Sequence, residues 1–367
     1  MEAKKVLVTG KKMFIERYQF LLEAMSPYFD SIDSLPTDSL YESKLLKTLA
    51  SSLYQSLSFL NIKRASGLGK TAKTFINLSR QTEQRIRQLE YVPDLVFHIH
   101  GMYNPFWENY DIPYVTYLDY TMALAHRSWK PWAPFSTENE FSAWLECERK
   151  GYEQATHLFT MSNCVKSSLV EDYGIDPSKI TTIYSAGQFS KPEHKEKYFG
   201  NKQILFNGSD FERKGGDLVL AAFREVRHIY PEAKLVIVGI NLSMQEDNVY
   251  NPGYVSSQEM RKLFLETDIV VSPARCDPFA LFLIEAMNFG VPCIVSEQDG
   301  MPEIVEHRVN GIVIPQPTAD LLASQMLLLL PDHTVLEEMS KKARHKVESQ
   351  FNWNAIAKKI SATLVNI

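Results

Sequence analysis

Residues 269–315, IVVSPARCDPFALFLIEAMNFGVPCIVSEQDGMPEIVEHRVNGIVIP, leave this chain few folds to choose from. A β-branched run at 269–274 ends in a Pro-containing loop, and an apolar helical pattern at 281–288 closes on Gly290 and Pro292. The order is strand, loop, helix, the repeating unit of a doubly wound α/β sheet. In such sheets ligands gather at the carboxyl ends of the strands, where the unpaired amides of a helix's first turn attract anions. A diphosphate therefore suits Ala280, Leu281 and Phe282. Asp277 precedes that turn and Glu285 lies about one helical turn inside it, so two carboxylates flank one cavity from different depths. Carboxylates so placed suit sugar hydroxyls. On this stretch alone a blander reading stays open, with Asp277 as a helix cap and Glu285 as an exposed helix charge.

The same order recurs along the chain. KVLVTG at 5–10 reads as a buried strand leading through Gly10, Lys11 and Lys12 into a helix at 13–25. LVFHIHG at 95–101 and YVTYLD at 114–119 are two further strands, with His98 and His100 on one face of the first. His100, at the carboxyl end, is the site candidate, whereas His98 reads as a satisfied core histidine. Asp119 ends the next strand and is either a substrate contact or a cap. The aromatic stretch 119–134 reads as a sugar-stacking surface or a packed lid. A helix at 136–155, a strand at 157–162, a helix at 163–173 and a strand at 180–187 follow. The polar, Pro-containing segment 190–203 is a linker, and ILFNGSDFERKGG from residue 204 starts the strand–turn–helix order again.

At these residues the chain resembles glycosyltransferase family 4, whose signature is two glutamates eight positions apart. Asp277 and Glu285 keep the spacing, with aspartate for the first glutamate and Ala280 where the family usually has glycine. The resemblance assigns Asp277 to the donor sugar, Glu285 to the ribose and residues 280–282 to the diphosphate. The family's G-R-x4-K-G pattern, which holds the diphosphate, falls on Gly208, Ser209, Lys214 and Gly215, so serine stands in the arginine slot and Arg213 is a substitute candidate. Tyr254 and Val255, in NPGYVS, match the step that holds the nucleobase. His100 and Asp119 fall where relatives approach the sugar.

The implied architecture is GT-B, two Rossmann-like domains facing across a cleft: 1–193 on the acceptor side, 194–350 for the nucleotide sugar, and a helix at 351–367 crossing back. The implied activity is a retaining, metal-independent transfer from a nucleotide-diphosphate sugar, without further cofactor, to a glycan, lipid or small-molecule acceptor. A nucleotide-sugar epimerase or a non-catalytic partner subunit is the alternative.

Composition narrows the partners. A formal charge of −5 lacks the basic footprint of a nucleic-acid binder. No D-x-D pair suggests a metal clamp, and the four cysteines are scattered as in a reduced, cytoplasmic protein. The start MEAKKVLVTG has no signal-peptide region, and no apolar tract is long enough to span a bilayer. Residues 41–90 carry nine Lys or Arg against three Glu, a basic segment suited to a solvated face or a peripheral membrane contact. Within 43–60, leucines at steps of three and four mark an amphipathic helix. GLGKT at 67–71 ends like a phosphate-binding loop, yet its first glycine slot is Arg64, which rejects that motif.

Overall fold

A computed structural model describes residues 5–37, 70–193 and 195–365. The helix expected at 43–60 and most of the 67–71 turn lie outside these residues. The chain forms two compact units, Met1–Ile183 with Ala357–Ile367, and Tyr184–Ile356.

The first unit is built on strands β1 (Lys5–Gly10), β2 (Ser31–Pro36), β3 (Leu95–Ile99), β4 (Tyr114–Leu118), β5 (His157–Thr160) and β6 (Ile180–Thr182). They pair in parallel in the order β2-β1-β3-β4-β5-β6. Helices cover both faces of such a sheet, which is why β1 and β3 read as continuous apolar runs rather than alternating ones. β2, SIDSLP, was not expected from sequence. It is a half-exposed edge strand ending in Pro36, so it carries neither an apolar run nor clean alternation.

The helix expected at 13–25 is two helices, Lys12–Arg17 and Gln19–Met25. They break at Tyr18, whose ring is buried and whose hydroxyl reaches Met161 Sδ at 3.6 Å. Helix periodicity alone does not reveal that a ring is drawn inward. The strand expected at 180–187 stops at Thr182, because Tyr184 turns the chain with φ 66°.

The second unit contains β7 (Gln203–Asn207), β8 (Lys234–Val238), β9 (Val249–Gly253), β10 (Ile269–Ser272), β11 (Cys293–Ser296) and β12 (Gly311–Ile314). Their order is β12-β11-β10-β7-β8-β9, again parallel. Strand order reverses between β7 and β10, so the loops leaving those two strands diverge and leave a crevice at their carboxyl ends. The core beneath includes Phe206, Phe223, Ile237, Val271 and Ile294, each no more than 1% exposed.

The units divide at Ile183/Tyr184 rather than at the linker's composition shift near residue 193, because residues 184–193 are tied into the second unit. Tyr184 stacks on Phe279, the Gln188 amide donates to Glu285, and the Glu193 amide donates to Asn288 Oδ1. The terminal helix Trp353–Val365 starts in the second unit and ends in the first, where Lys359 donates to the Thr182 carbonyl.

In the described part of the basic segment, arginines are spent inside the first unit. Arg80 pairs with Glu108, and Arg87 bridges Glu83 and Asp111. Glu83 is buried on the helix Ala72–Arg87 and collects the amides of Trp107, Glu108 and Asn109 at 2.9, 2.8 and 3.0 Å. Burial pushes its carboxyl up, but the three amides and Arg87 outweigh that and hold it below the ordinary range.

A carboxyl lowered in the folded state stabilises above its unfolded pKa and stops doing so as pH falls through its folded value. Glu83→Gln should therefore cost about 1.5–3 kcal/mol at neutral pH. Measured by denaturant unfolding, the gap to wild type should narrow as pH falls below about 4.5.

Candidate active site

The loops after β7 and β10 are braced together before any ligand arrives. The Arg275 amide donates to the Arg213 carbonyl at 2.8 Å, and the Arg213 guanidinium donates back to the Cys276 carbonyl. Arg275 donates to the Glu212 carbonyl and grips Asp217 through two hydrogen bonds of 2.8 and 2.7 Å. Arg213 also donates to Asp210 at 2.7 Å and lies 3.8 Å from Asp277. It is 7% exposed, so the cation next to Lys214 points inward, while Ser209 in the arginine slot is exposed. Gly208, buried, continues β7 by donating to the Val238 carbonyl.

Lys214 Nζ sits 3.4 Å from Asp277 Oδ2. That oxygen is buried, in ion-pair range of two cations, yet receives no hydrogen bond. The Asp277 amide donates to Asp299 Oδ2 at 2.9 Å, and Asp299 adopts φ 50° in the loop after β11. Sequence reasoning missed Asp299 and Asp210. The only available signal was their position just beyond a strand's carboxyl end.

Ala280 precedes the helix Leu281–Asn288, which opens without a side-chain cap, and Leu281 and Phe282 form its first turn. Glu285, one turn on, accepts the Gln188 amide at 3.0 Å. Tyr254 and Val255 follow the edge strand β9, with Tyr254 77% exposed. Asp277, Arg213 and Lys214 are thus brought into one cluster, with Glu285 held by a different partner.

In the first unit, His100 follows β3 and continues the sheet by donating its amide to the Tyr117 carbonyl. Its φ of 66° is left-handed, a strain of about 1–3 kcal/mol for such a residue. Phe14 packs on the ring at 4.1 Å between centroids. Nδ1 lies 2.6 Å from Asp119 Oδ1, while Nε2 is buried without a hydrogen-bond partner. With Asp119 accepting, Nδ1 carries a proton, and Nε2 is the ring nitrogen left to meet a substrate. Asp119 therefore orients a histidine, and Thr121 is the cap of the following helix Met122–Ser128. His98 is a core residue held by Thr9 and the Tyr103 carbonyl, and burial pushes it down to about 3.

The aromatic stretch 119–134 packs within its own unit, with Met122, Ala125 and Ala133 in a core with Phe75 and Trp144. Beneath it Glu148 is buried, and burial raises its carboxyl to about 7 despite hydrogen bonds from Tyr173 and the Met122 amide. Among the described residues no group of three or more His, Cys, Asp or Glu converges as a metal site.

Comparison with known proteins extends this picture. Residues 62–186 match the model "Glycosyltransferase Family 4" and residues 188–346 the model "Glycosyl transferases group 1". An uncharacterized glycosyltransferase of Methanocaldococcus jannaschii is 32% identical over 43% of this chain and 43% of its own length. Glycogen synthase of Mycobacterium tuberculosis is 24% identical over 68% of this chain and 62% of its own length. The chain thus spans between about two fifths and two thirds of such relatives.

Solved structures share the fold. Sucrose-phosphate synthase from Thermosynechococcus elongatus superposes with a TM-score of 0.70 at 14% identity, over 99% of this chain and 98% of that one. HepE of Anabaena, in complex with UDP and glucose, gives 0.64 at 15% identity, over 99% and 100%.

Gly215 lets the two loops close on each other. Its φ is 76°, and a Cβ there would lie 2.4 Å from the Pro273 carbonyl oxygen. Gly215→Ala should lower the melting temperature by several degrees, about 1–3 kcal/mol of strain, and abolish most activity. Calorimetric melting and turnover, measured together, check it.

Proposed function

The chain belongs to the glycosyltransferases and folds as GT-B, and on that premise we propose that it moves a sugar from a nucleotide-diphosphate sugar to an acceptor, with retention of configuration and without a metal ion. The observation that carries this reading is Asp277 Oδ2, a buried carboxylate oxygen beside Lys214 and Arg213 that lacks a hydrogen-bond donor. A sugar hydroxyl supplies that donor, and the two cations face the charge that develops on a leaving diphosphate.

Lys214 and the uncapped amides at the start of Leu281–Asn288 meet that charge. Arg213 reinforces it from a buried, fixed position. One preorganised donor of this kind is worth roughly 3–4 kcal/mol in a transition state. Glu285 takes the ribose, and Tyr254 and Val255 the base. In the first unit His100 offers Nε2 to a substrate hydroxyl, with Asp119 holding the ring. Retention follows from the family resemblance, with the leaving phosphate helping to deprotonate the acceptor, so no protein nucleophile forms a covalent intermediate. The UDP in HepE supports a nucleotide sugar as donor. Four free cysteines fit a cytoplasmic enzyme.

The experiment is donor turnover across common nucleotide sugars, read as free nucleotide diphosphate with mass analysis of candidate acceptors. Absence of nucleotide binding to any donor, or an epimerised donor without free nucleotide, would overturn the proposal.

Lys214→Ala should lose about two to three decades of turnover with little change in melting temperature. Arg213→Ala should lower both, since it also removes a brace between loops. Asp277→Asn should lower turnover about tenfold to a hundredfold, because hydrogen bonds to a charged group contribute roughly 1.5–3 kcal/mol. Near-wild-type kinetics for Lys214→Ala and Asp277→Asn would refute the assignment.

Chelation provides an independent check on the cations. Turnover in excess EDTA should stay within about twofold of its value in magnesium, since fixed lysine and arginine charges replace the metal. Complete loss that manganese or magnesium restores would show the opposite.

A further inference from the structure

Resting on the reading of Glu285 as the ribose acid, the geometry points to Trp353 as a positioning residue for the nucleotide, acting through the backbone of Gly187 and Gln188. Trp353 is 2% exposed, and its indole Nε1 donates to the Gly187 carbonyl at 3.0 Å. The same carbonyl accepts the Phe189 amide at 2.8 Å, which folds residues 187–189 into a tight turn. The amide at the centre of that turn, Gln188, donates to Glu285 Oε1 at 3.0 Å. An indole N–H thus sets a carbonyl, the carbonyl sets a turn, and the turn aims one oxygen of the carboxylate.

Close packing surrounds the turn. A Cβ on Gly187 would stand 2.6 Å from Glu285 Cγ and 2.6 Å from Phe189 Cε1, so only glycine lets the turn come this close. Phe351, two residues before Trp353, meets Tyr184 edge-on at 5.5 Å and Phe279 at 6.1 Å. Phe279 lies between Asp277 and Ala280, so the segment 351–353 touches the site loop through rings and the ribose acid through a hydrogen-bond chain. The Gln188 amide thus fixes the direction in which the Glu285 carboxylate is held, which lowers the ordering cost of binding ribose hydroxyls.

The test is a double-mutant cycle read by calorimetry, using whichever of UDP, GDP and ADP binds the wild-type chain most tightly. Glu285→Gln should weaken binding about tenfold or more, and Trp353→Phe, which keeps a ring but removes the N–H, about three- to tenfold. Because Trp353 acts through Glu285, the double variant should bind no more weakly than Glu285→Gln alone. A merely structural tryptophan would lower the melting temperature and leave affinity unchanged, or give additive losses, and either result overturns the inference while the ribose reading stands. Unchanged affinity for Glu285→Gln overturns the ribose reading itself. Should Trp353→Phe fail to fold, Gly187→Ala probes the same turn from the other side. It should weaken nucleotide binding in the wild-type background and not in Glu285→Gln, and an equal loss in both overturns the inference.

Discussion

The second unit depends on one buried guanidinium. Arg213 is almost wholly removed from water, and a charge so placed is tolerated only when it is paired and its donors are satisfied. Asp210 from its own loop and the Cys276 carbonyl from the opposite loop satisfy it, with Asp277 close by. Moving either loop would strand the cation, so the two loops hold one another at the point where strand order reverses. The crevice there is consequently shaped before a ligand enters it. Such preorganisation matters in a site whose proposed task is to meet developing charge, because dipoles already in place need no reorganisation.

Within that frame several strained or unsatisfied features fall beside candidate site residues. Gly215 takes a left-handed turn one residue after Lys214, and Asp299 takes one where its carboxylate holds the Asp277 amide. The first unit repeats the pattern independently. His100 adopts a left-handed conformation one residue past β3, against a carboxylate that fixes its tautomer, and leaves Nε2 without a partner. Strain of this kind survives only where surrounding packing over-determines it, here by Phe14 and Tyr18 against the ring.

Much of this was legible in the sequence, for identifiable reasons. Buried parallel strands are short apolar runs bounded by glycine or proline, so β1, β3, β4, β5 and β10 announce themselves. The edge strands β2 and β9 do not, since one side faces solvent and both contain proline. The helix Leu281–Asn288 was readable to the residue because glycine and proline close it. The break at Tyr18 was not, because it depends on a ring finding space beside Met161 and His100. The linker read from composition at 190–203 suggests a boundary near residue 193, yet contacts of residues 184–193 with Phe279, Glu285 and Asn288 place them in the second unit.

By itself the sequence determined the doubly wound class and marked candidate acids and cations, because these follow from local pattern and fixed spacing along one loop or helix. Tertiary structure alone decided which of those charges meet. Asp277 and Lys214 lie on loops after different strands, and only the reversal of strand order between β7 and β10 brings them to 3.4 Å. Whether Arg213 is buried or exposed, whether Asp119 caps a helix or bonds His100, and what a side chain at residue 187 would meet were settled the same way. Each is a question of distance between residues remote in the chain, which local propensity does not encode.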